Sequence, residues 1–70
     1  MREQLKKLRQ KNELNHYQMA KLLGVSRASY IKIERNERNG DFKFWATLGQ
    51  VFNLSLNKLV KMHDEFKAEK

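Results

Sequence analysis

Residues 16–35 read HYQMAKLLGVSRASYIKIER, two short amphipathic stretches on either side of Gly24. Asn15 just ahead of them, with Gln18 three residues on, has the pattern of a reciprocal cap, so a helix is expected over His16–Leu23. Met19, Ala20 and Leu23 fall on its inner face, and the small Ala20 lets the next helix come close. Gly24 is suited to the positive φ of a helix end, and Val25 after it supplies an apolar contact that locks the turn. Ser26 then caps a second helix, which closes near Arg35 with Asn36 as a left-handed end. At about 100° per residue, Ser29, Tyr30, Ile33 and Glu34 share one side of that helix, while Arg27, Ala28, Ile31, Lys32 and Arg35 share the other. The first set is expected to face a core and the second to face away from it. Tyr30 either fills the gap between helices or turns its hydroxyl outward.

The flanks supply the rest of a small core. Leu5 and Leu8 recur at helical spacing with Arg9 beside them, which predicts a helix from Glu3 to Asn12 with Lys6, Lys7, Gln10 and Lys11 facing out. Residues 37–40 read as an exposed loop. Asp41 caps a fourth helix of about twelve residues, with Phe42, Trp45, Leu48, Gly49 and Phe52 inward. Phe44 is out of phase with that set and is expected on the surface, where it suits a partner or dimer contact. Asn53 closes the helix, Leu54 links, and Ser55 caps a fifth in which Leu56, Leu59 and Val60 point inward. From Met62 the chain turns polar and either prolongs this helix or frays, with Phe66 as an apolar anchor. A domain over residues 1–61 with a polar extension over 62–70 is therefore expected.

A chain of 70 residues makes one domain, and it buries only about 60% of its unfolded surface. With no proline, no cysteine and three glycines, the composition favours an all-α fold held by packing rather than by disulfides. Two isolated histidines do not make a metal site, and no metal or cofactor is expected. The charged amino terminus lacks the apolar stretch of a secretory signal, and no run is long enough to span a bilayer, so a cytoplasmic protein is expected. Residues 1–40 carry ten Lys/Arg against four Asp/Glu and residues 41–70 five against four, which concentrates the net charge of +7 in the first part. Such a balance suits a polyanion, because displacing counterions from phosphates drives association. An enzyme is not expected: there is no cysteine nucleophile, no paired carboxylates at a plausible pocket and no phosphate-cradling glycine loop.

Several short motifs in order carry a resemblance: Leu8-Arg9, Met19-Ala20, Leu23-Gly24-Val25-Ser26-Arg27, Ile33-Glu34-Arg35, and Leu54-Ser55-Leu56 ahead of Leu59-Val60. Together they make the chain, from about Leu5 to Val60, similar to the Cro/repressor (Xre-type) helix-turn-helix family. The resemblance implies a compact five-helix, lambda-repressor-like domain whose second and third helices form the helix-turn-helix. It also implies an ion pair between Arg9 and Glu34, in keeping with Glu34 on the inner edge of its helix, where a carboxylate needs a fixed donor. Departures from the family pattern are Tyr30 in place of an aliphatic residue, Glu13 and Asn36 where glycine is frequent, and Gly40 where proline often stands.

By the family's docking mode the third helix enters the major groove of double-stranded DNA, with Arg27, Ala28, Ile31 and Lys32 nearest the base edges. Arg27 can take guanine O6 and N7 together, Lys32 can do so less selectively, and Ala28 and Ile31 can pack on thymine methyls. Phosphates are expected at His16 and Gln18 near the start of the second helix, and at Arg35, Asn36, Arg38, Asn39 and Lys43 around the following loop. One module reads few base pairs, so a homodimer on a palindromic operator is expected, acting as a transcriptional regulator and most simply as a repressor. Its interface is expected at Val60, Met62, His63 and Phe66, or at Phe44, and a monomer that pairs only on DNA is equally compatible. The family implies a bacterial or phage-encoded source. A protein-interaction role on the same scaffold, as an antitoxin or anti-repressor, is the alternative, but such a surface should be less basic than this one.

Overall fold

In the computed structural model, which describes residues 1–68 and side chains as far as Asp64, every element is a helix. They run α1 Glu3–Lys11, α2 His16–Leu23, α3 Arg27–Glu34, α4 Phe42–Phe52 and α5 Leu56–Ala68. Local chemistry sets most of the boundaries. Asn15 Oδ1 accepts the Gln18 amide at 2.7 Å while Gln18 Oε1 accepts the Asn15 amide at 2.9 Å, a complete capping box. Ser26, Asp41 and Ser55 accept from the amides of Ser29, Phe44 and Lys58 in the same manner. At the other ends Gly24, Asn36 and Asn53 take φ values of 70°, 67° and 54°. Those left-handed residues turn the chain out of α2, α3 and α4.

Helix α2 packs on α3 and α4, α1 packs on α3 and α5, and α4 on α5. The core they enclose is built from Leu5, Met19, Ala20, Leu23, Tyr30, Ile33, Phe44, Trp45, Leu48 and Met62. Gly49 permits the α4–α5 contact: a Cβ there would lie 2.8 Å from Leu59 Cδ1.

The aromatic phase of α4 differs from the sequence expectation. Phe44 is buried at 1% exposure, and Phe42, expected inside, is 88% exposed. Two adjacent rings can both point inward because they serve different neighbours. Phe44 lies 6.4 Å from the Tyr30 ring on α3, while Trp45 meets it edge-on at 5.0 Å and reaches His63 on α5 at 5.7 Å. Phe42, at the first position of α4, projects beyond both contacts. On α5, Leu56 and Val60, expected inward, are exposed, whereas Met62, expected at a dimer surface, is fully buried. The Phe66 side chain lies outside the described residues.

Candidate nucleic-acid interface

The turn between α2 and α3 is closed by backbone alone: Val25 N–H donates to Ala20 O at 3.1 Å and Gly24 N–H to Lys21 O at 3.3 Å. With Ala20 and Met19 buried beneath it, this turn fixes which side of α3 meets the body of the domain. Tyr30, Ile33 and Glu34 go inside; Arg27, Ala28, Lys32 and Arg35 are exposed, and Ile31 is half-buried between the two sets.

The inner edge of α3 is anchored by a polar knot. Arg9 donates from Nε to Glu34 Oε2 at 2.9 Å, from Nη2 to Oε1 at 3.3 Å, and from Nη1 to the Leu14 carbonyl at 2.9 Å. The Tyr30 hydroxyl donates to Glu34 Oε2 from one helical turn away. Burial pushes the Glu34 carboxyl up, but hydrogen bonds from Arg9 and Tyr30 outweigh it and hold the group below its ordinary 4.5. Burial, then the adjacent Glu34, raise the Tyr30 phenol well above its ordinary range. The Glu34 hydrogen bond raises Arg9 further still, against its burial. A carboxylate between two donors therefore stays ionised inside the protein.

A second anchor, at the carboxyl end of α3, was not foreseen from the sequence. Arg2 is fully buried. Its backbone N–H donates to Glu34 O at 2.9 Å, its Nη1 donates to Ile33 O and Arg38 O, and its guanidinium lies 5.2 Å from the centre of the Trp45 ring. A cation at a helix carboxyl end is favoured by the helix dipole, and the indole face adds a cation–π contact. Nothing in a uniformly charged terminus marks one arginine for burial, since the carbonyls and ring that receive it lie more than thirty positions away.

The loop after α3 is tied to the body of the domain by both backbone and side-chain hydrogen bonds. Trp45 Nε1 donates to Asn39 O at 2.9 Å, Glu37 N–H donates to Lys32 O at 2.8 Å, and Arg38 Nη1 bridges to Ser29 Oγ at 2.9 Å.

The residues expected to meet phosphate are not equivalent. Arg35, Arg38, Asn39 and Lys43 are exposed. Gln18 is exposed too, but its side chain completes the α2 cap. Asn36 is half-buried and its backbone makes the left-handed turn. His16 is half-exposed, with Nε2 at 3.4 Å from Glu34 Oε1 and its ring 6.2 Å from that of Tyr30. Two clefts flank α3. One, of about 320 Å³, brings Arg27, Ile31 and Arg35 together with Lys6, Arg9 and His16; the other holds Arg38 and Asn39 beside Ser29. Lys43 borders neither. Among the described residues no group of three or more His, Cys, Asp or Glu could hold a metal ion, and no helix is long and apolar enough to cross a membrane.

A helix-turn-helix family model matches residues 5–59, which takes in α2, α3 and α4 whole, α1 from Leu5 and the start of α5. The chain belongs to the Cro/repressor-type helix-turn-helix family. It is similar to an uncharacterized HTH-type transcriptional regulator of Bacillus subtilis (strain 168), YqaE, at 34% identity over 59 residues, 84% of this chain and 51% of that protein. The chain thus spans about half the length of this relative. No solved structure matches the chain.

Proposed function

We propose that this helix-turn-helix chain is a sequence-specific regulator of transcription, most simply a repressor, that reads the major groove of double-stranded DNA with α3. The observation that carries the reading is the outer face of that helix. Arg27, Ala28 and Lys32 stand exposed around a half-buried Ile31, and among the described residues neither Arg27 nor Lys32 has an ion-pair partner. Arg27, in the first turn, suits a bidentate contact to guanine; Ala28 and Ile31 suit thymine methyls. Arg35, Arg38, Asn39 and Lys43, all exposed, suit contacts to backbone phosphates, with His16 and the amino end of α2.

The same reading makes the protein a homodimer on a palindromic operator, because a module this small needs a second half-site for useful specificity. Phe44 and Met62 are buried, and among the described residues Val60 and His63 of the expected interface border a groove of about 480 Å³ between α4 and α5 that suits pairing. Exposed Phe42, Leu56 and Val60 line it beside His63.

Selection of bound duplexes from a random pool tests the reading. A recovered consensus with two half-sites about one helical turn apart supports it. Binding that is indifferent to sequence, or that does not weaken with salt by a log–log slope of about 0.9 per phosphate, rejects it.

A further inference from the structure

Arg38 and Asn39 sit on the loop after α3, and much of what fixes that loop comes from a residue 36 positions before Arg38. A helix leaves its last carbonyls without intrahelical partners. Two of those at the end of α3 are taken by Arg2, whose backbone N–H donates to Glu34 O at 2.9 Å and whose Nη1 donates to Ile33 O. The same Nη1 reaches on into the loop and donates to Arg38 O at 2.8 Å. Its guanidinium lies 5.2 Å from the centre of the Trp45 ring, and Trp45 Nε1 donates to the next carbonyl, Asn39 O, at 2.9 Å. Gly40 then turns the chain at φ 78°, so close to α4 that a Cβ would lie 3.1 Å from Trp45 Nε1. Arg38 is thus held at two points, its carbonyl by Arg2 and its guanidinium by Ser29 Oγ at 2.9 Å.

Arg2 is fully buried, so it cannot itself touch a phosphate. Any effect it has on binding must pass through the residues it holds. A loop without such bonds samples many conformations, and ordering it against a ligand costs conformational entropy that weakens the complex. With the carbonyls of Arg38 and Asn39 already bonded, that ordering is done in folding. A guanidinium suits the task where an ammonium does not, since it donates to carbonyls from one rigid plane while its face rests on an indole.

We infer that Arg2 is a positioning residue for DNA binding, which holds the loop after α3 in the conformation that presents Arg38 and Asn39 to the duplex backbone. The inference rests on the DNA-binding reading and adds to it a residue that lies outside the interface.

The experiment measures binding of the full chain to a fluorescein-labelled duplex of mixed sequence across a salt series, at a temperature where thermal melts show each variant folded. Arg2→Met removes the guanidinium and leaves the backbone bond to Glu34 in place. It is expected to weaken binding by about threefold to tenfold near 0.1 M salt and to lower the log–log slope by about 0.9, as for one lost phosphate contact. In an Arg38→Ala background the same substitution is expected to change affinity by less than about twofold, because the contact it acts through is already gone. Additive losses in the two backgrounds, which loss of a distant charge would produce, overturn the positioning role alone. So does a lowered melting temperature with affinity and slope unchanged. A wild type that ignores the duplex overturns the DNA-binding reading and this role with it. Should Arg2→Met fail to fold, amide relaxation of the wild type decides. Order parameters near 0.85 over residues 36–40, with and without duplex, support the role, and values below about 0.6 that rise on binding overturn it.

Discussion

Arg9 and Arg27 carry the same guanidinium, one on either side of α3, and the molecule treats them in opposite ways. Each nitrogen of Arg9 is spent inside the protein, on Glu34 and on the Leu14 carbonyl. Arg27 is exposed and has no ion-pair partner among the described residues. Residue type does not separate these roles. What separates them is the face of α3 that each adjoins, and the tight turn at Gly24 selects that face. The inner edge holds the helix in place through buried charge; the outer face is left open to solvent, where the proposed function puts recognition. If this division is right, damage to one side should appear as lost stability and damage to the other as lost discrimination.

The largest effect is expected from Glu34→Ala. Removing the carboxylate leaves the Arg9 guanidinium and the Tyr30 hydroxyl buried without their acceptor, and breaking a buried pair in this way costs about 3–5 kcal/mol. A domain of this size is stable by about 0.05–0.15 kcal/mol per residue, so the variant should lose about a third or more of its stability. Urea or thermal denaturation reads it directly. A loss below about 1 kcal/mol, the range of an exposed pair, would remove the distinction between the two arginines.

Next in size is Arg27→Ala, expected to cost about 1–3 kcal/mol of discrimination at one base position while global stability stays within about 0.5 kcal/mol. Competition between duplexes differing at single positions measures the first quantity and a melt the second. Equal weakening on every duplex would move Arg27 to the phosphate contacts.

Titration sharpens the contrast from within the knot. Glu34 is held below 4.5 in the fold, so its contribution is present above that pH and drains away as pH falls through the lowered value. Tyr30 is raised above its ordinary 10.0, so its contribution is complete below pH 10 and is lost progressively at higher pH, as the unfolded phenol ionises first. Stability against pH should therefore fall at both ends, with Glu34→Gln flattening the acid side and Tyr30→Phe the alkaline side. Replacing Arg27 should move neither limb.

How far this division could be read without coordinates depended on how local each determinant is. Asn15, Ser26, Asp41 and Ser55 cap helices by hydrogen bonds that reach only three residues along the chain, so residue type and spacing were enough. The orientation of α3 followed from Ala20, Gly24 and Val25 for the same reason. The phase of α4 did not, because Phe42 and Phe44 differ only in which neighbouring helix meets them. Leu56 and Val60 are apolar at helical spacing, yet α4 meets α5 at Trp45–His63 and Gly49–Leu59 and leaves them outside. Arg2 was beyond reach, since a charged side chain enters an interior only where distant groups receive it.

The smallest predicted effect concerns the turn that delivers the carbonyl accepting from Arg9. Glu13 has φ 57°, a conformation that costs a side-chain-bearing residue about 1–2 kcal/mol. The turn it makes brings the Leu14 N–H to Arg9 O at 3.1 Å and the Leu14 carbonyl to Arg9 Nη1, so the strain at Glu13 is tolerated because the knot depends on it. Glycine adopts this φ without strain, although its freedom in the unfolded chain returns part of the gain. Glu13→Gly should therefore stabilise the domain by about 0.5–1 kcal/mol and leave the base preferences of Arg27 unchanged. Asn36, with φ 67°, is the comparison within the same experiment, because asparagine tolerates the left-handed region and its replacement by glycine should gain less. A stabilisation at Glu13 accompanied by altered base preference would mean that the anchoring and reading sides of α3 are coupled through α1, and that the division between Arg9 and Arg27 is one of degree.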